Sequence, residues 1–125
     1  MRTRVVAVIF LVSAAAAPLA ADVRADAKKQ VEFGITVAQR GLWREAIYRW
    51  ERAIQIDPKY AEALNDLAIA YEHEGDLEKA RLAYGKALEL APENALIKQN
   101  YELFKEINDR TTRKDSADGP GIQDP

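Results

Sequence analysis

A period of 34 residues constrains this chain more than any other feature of it. The stretch from Gly41 to Pro58 returns as Gly75 to Pro92. Gly41 pairs with Gly75, Ala46 with Ala80, Trp50 with Tyr84, Ala53 with Ala87 and Pro58 with Pro92, always at the same separation. A fixed period of this length marks stacked supersecondary units, each of which leaves an apolar face for its neighbour to cover. The fold class that follows is all-α, built of stacked antiparallel helix-turn-helix hairpins.

Five helices are expected. The first spans 26–40, with Asp26 as N-cap and Gly41 in the left-handed position that ends it. Phe33, Gly34 and Val37 lie on one face, and Val31, Ile35 and Ala38 on the next. The second spans 42–56 and turns Trp43, Ala46, Ile47, Trp50, Ala53 and Ile54 inward, until Asp57-Pro58 stops it. The third spans 60–74 with Leu64, Leu67, Ala68 and Tyr71 inward, and breaks at Gly75. Asp76 caps the fourth, which runs to Leu90 with Gly85 at an exposed position. Asn94 caps a fifth over 95–109. Residues 26–58 and 59–92 thus form two repeats and 94–110 a closing helix. The tail 111–125, rich in Gly, Pro, Asp and Ser, is expected to be disordered.

The N-terminus reads as an address. Met1-Arg-Thr-Arg4 is basic, Val5 to Ala17 is apolar, and small residues follow at Ala20, Ala21 and Ala25, the pattern of a secretory signal peptide over 1–21. The cut falls after Ala21 or after Ala25. The Arg start and Ala-rich core point to bacterial export into the periplasm. Retention of the segment, giving a membrane-anchored protein, is the alternative.

Little chemistry is on offer. The net charge of −2 is too balanced to call for nucleic acid, and there is no cysteine for disulfides or thiolate sites. The lone histidine, His73, stands between Glu72 and Glu74 with no second ligand one turn away, and reads as a solvated side chain near a helix end. Arg40, Arg44, Arg49 and Arg52 alternate with Glu45 and Glu51 as a mixed surface. No phosphate loop, nucleophile motif or acid–base pair is present. The chain is therefore read as no enzyme, with no cofactor, metal or small-molecule substrate.

The chain resembles the tetratricopeptide repeat family over Ala27 to Asn94. The small, aromatic and proline positions that carry the likeness are Gly34, Ala46, Trp50, Ala53 and Pro58, then Ala68, Tyr71, Ala80, Tyr84, Ala87 and Pro92. Gln30 and Val37 depart from it, where the family has a large hydrophobe and an aromatic. Glu102, in register with Gly34 and Ala68, suits a terminal helix with nothing packed behind it. The resemblance implies a concave groove formed by the first helices and used to hold partner peptides or helices.

Ile35, Ile69 and Leu103, one period apart, line up along that groove. Val31, Asn65 and Gln99 flank them on one side, and Ala38 and Glu72 (with Glu106) on the other. An apolar segment, its backbone held by the amides of Asn65 and Gln99, would suit this surface. Padding between successive first helices is the commoner fate of aliphatics at helical spacing, and is the reading set against the groove. A charge clamp for a C-terminal carboxylate is set aside, because its basic residue and asparagine fall at Val31 and Ile35. Since such stacks need about three units for independent stability, support from self-association or a partner is expected at an end face around Gln30, Val37 and Trp43. The function implied is a protein-interaction adaptor or scaffold, with homo-oligomerisation and a membrane-anchored assembly factor as alternatives.

Overall fold

The computed structural model describes residues 20–117 as five antiparallel helices: α1 (Ala20–Ala38), α2 (Trp43–Ile56), α3 (Ala61–His73), α4 (Leu77–Leu90) and α5 (Ala95–Ala117). The expected leader, apart from Ala20 and Ala21, and the end of the expected tail from 118 lie outside these residues. α1 pairs with α2 and α3 with α4, and α2–α3 joins the hairpins. α5 packs on the second hairpin where a third would begin.

The 34-residue period is reproduced in backbone detail. At the end of α1, Gly41 has φ 77°, its N–H reaches the carbonyl of Ala38, and the Leu42 N–H reaches that of Val37. At the end of α3, Gly75 has φ 79°, with matching bonds from Gly75 to Glu72 and from Asp76 to Tyr71. This paired closure satisfies two otherwise orphaned carbonyls, and its left-handed residue is glycine because a Cβ there is strained. Asp57, in extended conformation, ends α2 before Pro58. Asp76 and Asn94 cap α4 and α5 by accepting the N–H groups of Lys79 and Ile97.

Two boundaries differ from expectation. α1 starts six residues before Asp26, which is therefore an interior residue rather than the N-cap. Arg24 accounts for this: its guanidinium pairs with the Asp57 carboxylate, donates to the Lys59 carbonyl and lies 4.2 Å from the Tyr60 ring centre. The first turns of α1 are thus tied to the α2–α3 junction. At the other end, α5 continues to Ala117, so residues 111–117 are helical rather than disordered. They are exposed throughout, and Thr111, Thr112 and Ser116 fold their hydroxyls back onto carbonyls four residues earlier.

Small residues set the separation of the paired helices. Ala46, Ala53, Ala68, Ala80 and Ala87 have no exposed surface. Gly34, expected to face Ala46 and Ala53, lies against Trp50: a Cβ on Gly34 would stand 2.5 Å from the indole Nε1. Trp50 therefore fills its own hairpin as well as the gap to the next, and its indole N–H donates to the Val31 carbonyl at 3.2 Å. In the second hairpin Tyr84 replaces the indole and Ala68 replaces the glycine. Tyr84 stacks on Tyr101 at 5.8 Å and meets Phe104 at a tilt at 5.3 Å, which seats α5.

The expected end face does not form as drawn. Val37 is buried among the core residues of the first hairpin, and Trp43 stacks on His73 with 4.1 Å between ring centres. Gln30 is half-buried, with its Oε1 lacking a hydrogen-bond partner among the described residues. The exposed aromatics of this end are instead Phe33 and Tyr48, with the Arg49 guanidinium 4.3 and 5.4 Å from their rings.

The two mid-helix glycines, Gly34 and Gly85, predict opposite responses. Gly34→Ala is expected to destabilise by about 2 kcal/mol, because the indole must shift and its bond to Val31 breaks. Gly85 is half-buried rather than exposed, and an added Cβ finds room 3.8 Å from the Tyr101 hydroxyl. Gly85→Ala is therefore expected to stabilise by about 1 kcal/mol. Urea unfolding of both variants checks the two signs, and a stable Gly34→Ala would remove the indole from this glycine.

Candidate functional site

Because α1 and α3 both pack on α2 rather than on each other, an open cleft of about 340 Å³ remains between them. Ile35, Ala38 and Gln39 come from α1, Asp66 and Ile69 from α3, and Trp43 and Trp50 from α2. Trp50 is buried and forms the floor, while Trp43 closes one edge. Apart from Asp66 and the Gln39 amide, the lining is apolar.

Three of the eight expected groove residues, Ile35, Ala38 and Ile69, meet in this cleft. The aliphatic ladder is exposed along its length, at 41% for Ile35, 37% for Ile69 and 55% for Leu103. Apolar padding between helices would not keep over a third of each side chain in water. Leu103 and Gln99 are exposed on α5, beyond the cleft.

The flanking residues are otherwise occupied. Val31 is buried, and its carbonyl receives the Trp50 indole. Asn65, expected to offer its amide to a partner, is 4% exposed, and its Oδ1 accepts from Asn100 at 3.1 Å. It joins α3 to α5. The Glu72 carboxylate accepts the Tyr84 hydroxyl at 3.0 Å, as that of Glu51 accepts the Tyr71 hydroxyl at 2.6 Å. Burial, then the hydrogen bond to a carboxylate, raises both phenols well above their ordinary range. These pairs belong to the seams between helices, not to a surface.

Asp66, Trp43, Trp50 and Gln39 were not assigned to the site from sequence. Both tryptophans read as core stripe, which they also are. Asp66 is the less expected member. Burial pushes its carboxyl up to about 6, against a hydrogen bond from Asn65 that lowers it, with nearby Glu62 raising it further. The signal lay in the period, which sets Asp66 in register with Glu32 and Asn100, a polar series beside the aliphatic one.

Elsewhere the charges behave as a mixed surface. Arg49 pairs with Glu45 at 2.9 Å, Arg44 with Glu74 at 3.7 Å, and Arg52 bonds Gln55. Among the described residues, no three His, Cys, Asp or Glu side chains gather as a metal site. No helix among them is long and apolar enough to cross a membrane.

Comparison with known proteins bears on the repeats. The family model described as "TPR repeat" matches residues 37–75, and that described as "Tetratricopeptide repeat" matches residues 61–94. Uncharacterized protein ycf37 of Pyropia yezoensis is 51% identical over 41 residues, covering 33% of this chain and 23% of that protein. Its namesake in Porphyra purpurea is 38% identical over 56 residues, or 45% and 32% of the two chains. Photosystem I assembly protein Ycf3 of Synechococcus sp. (strain CC9311) is 30% identical over 93 residues, or 69% and 54%. The chain thus spans about half the length, or less, of the curated relatives it matches.

Asp66 makes a pH-dependent prediction. A carboxyl whose folded pKa lies above its unfolded one contributes its stability fully in acid and loses it as pH rises through about 6. Asp66→Asn is therefore expected to stabilise the chain at pH 7.5 by on the order of 1–2 kcal/mol. The gain should shrink as pH falls towards 4. Denaturant unfolding at the two pH values measures it, and an equal effect at both would deny Asp66 its apolar surroundings.

Proposed function

We propose that this chain, which belongs to the tetratricopeptide-repeat family, is a binding module that holds a segment of a partner protein in the groove lined by α1, α3 and α5. The observation that carries this reading is the exposed ladder Ile35, Ile69 and Leu103, set beside a mostly apolar cleft. Aliphatic side chains kept in water along one concave face gain by being covered, at roughly 25 cal/mol for each Å² removed from solvent. A role in assembling larger protein complexes fits the name of the Synechococcus relatives, which are photosystem I assembly proteins.

We further propose that the chain acts outside the cytoplasm, in a bacterial periplasm, after losing residues 1–21. The basic start, apolar run and small residues support export. The contacts of Arg24 favour the cut after Ala21 over that after Ala25, because the later cut removes the tie to Asp57 and Tyr60. The intact mass of the chain recovered from an envelope extract is expected to begin at Asp22. A start at Asp26 would overturn this choice, and retention of the whole leader would favour the anchored alternative.

The binding reading is tested by affinity capture from the same extract with the parent chain and with Ile69→Lys. A protein held by the parent and lost from an equally helical Ile69→Lys supports the groove. Equal capture by both moves binding to another surface, such as the exposed Phe33 and Tyr48 beside Arg49.

A further inference from the structure

We infer that the segment taken by the cleft is an amphipathic helix of a partner protein that carries a lysine or arginine, and that Asp66 is the carboxylate that pairs with this cation. The inference rests on the groove reading above and adds the chemistry of the occupant.

The cleft has an uneven charge. Asp66 stands among Ile35, Ala38, Trp43, Trp50 and Ile69, and no basic side chain contributes to the lining. The charge that acts on it within its own helix is Glu62, one turn earlier and also negative. Several cations of α1 and α2 are engaged elsewhere. Lys28 pairs with Glu32, Lys29 with Asp26, Arg44 with Glu74 and Arg49 with Glu45. A carboxylate in an apolar recess without a counter-charge is held at a cost, and that cost is relieved when a cation arrives. The same charge repels a free C-terminal carboxylate.

Lysine or arginine suits the walls as well as the charge. Its aliphatic stem can lie along Ile69 and Ile35 while the head reaches Asp66. The walls favour a helix over an extended strand. Apart from Asp66, the cleft offers a backbone only the Gln39 amide, since the Asn65 amide is engaged with Asn100. An extended segment would leave its N–H and C=O groups unpaired there, whereas a helix satisfies its own. A helix with aliphatic residues at i and i+7 and a cation at i+3 or i+4 presents all three on one face.

A phage-displayed library of 16-residue amphipathic helices, randomised on one face, tests this by selection on the purified parent chain. Selected helices are then measured against Asp66→Asn and Ile69→Lys, with circular dichroism confirming that each variant is folded. The expected winners carry Lys or Arg between aliphatics seven apart, bind about tenfold more weakly to Asp66→Asn, and do not bind Ile69→Lys. Replacing the selected lysine by norleucine should cost the same factor on the parent chain and nothing on Asp66→Asn. That arm reads the pairing without altering the protein.

Winners that lack a basic residue, or that bind Asp66→Asn undiminished, would overturn the pairing while leaving the groove reading intact. Helices that bind Ile69→Lys as well as the parent, or no enrichment at all, would overturn both. Sedimentation showing a dimer that Ile69→Lys dissociates would assign the cleft to a second copy of the chain and remove the partner helix.

Discussion

The structure depends on how closely the two helices of a hairpin approach. That approach is permitted by residues with almost no side chain: Gly34 with Ala46 and Ala53 in the first hairpin, Ala68 with Ala80 and Ala87 in the second. Each hairpin then accepts one large aromatic, and the choices are coupled. The wider indole of Trp50 faces a glycine, and the narrower phenol of Tyr84 belongs with an alanine. Since Trp50 also forms the floor of the cleft, the packing of the first hairpin and the shape of the candidate site share one side chain. A change at Gly34 therefore reaches the binding surface by moving that floor.

Polar ties fix the register of the stack. Tyr71 to Glu51 joins α3 to α2, Tyr84 to Glu72 joins α4 to α3, and Asn100 to Asn65 joins α5 to α3. A buried hydroxyl or amide left without its partner costs about 1–3 kcal/mol, so a slip of one helix past another is opposed at three places. Asp66 has a different standing. Its carboxylate is half-buried, faces a cleft rather than a seam, and loses stability by ionising. A charge that works against the folded state, at the one wall where a ligand can reach it, is the pattern that marks functional positions.

The fold was legible because the period, the glycines and the prolines all act locally. Gly41 and Gly75 end their helices by backbone conformation, Pro58 and Pro92 follow the next helices' ends, and the alanines sit at helical spacing. None of these needs knowledge of a distant neighbour. The misreadings have the opposite cause. α1 begins before Asp26 because Arg24 finds Asp57 and Tyr60 across the fold. Residues 111–117 carry no apolar stripe, so nothing in their pattern announced a helix that has no core to face. In the candidate site, the aliphatic ladder followed from the period alone, but the fates of its flanks did not. Asn65 was turned inward by Asn100, one residue beyond its counterpart in the period, and Asp66 was overlooked because an acidic residue in a charged helix looks solvated until the cleft around it is seen.

The way the groove helices are held has a consequence for binding. α1 and α3 are joined mainly through α2, and α3 and α5 mainly through α4 together with the Asn65–Asn100 bond. A partner helix laid across Ile35, Ile69 and Leu103 would add a further direct link among these three helices. Binding to the native form alone raises stability in proportion to the logarithm of ligand concentration over Kd. Here that gain would act on the interfaces between repeats, the terms that decide whether a short array folds as one. Occupancy of the groove and cohesion of the stack would then rise together.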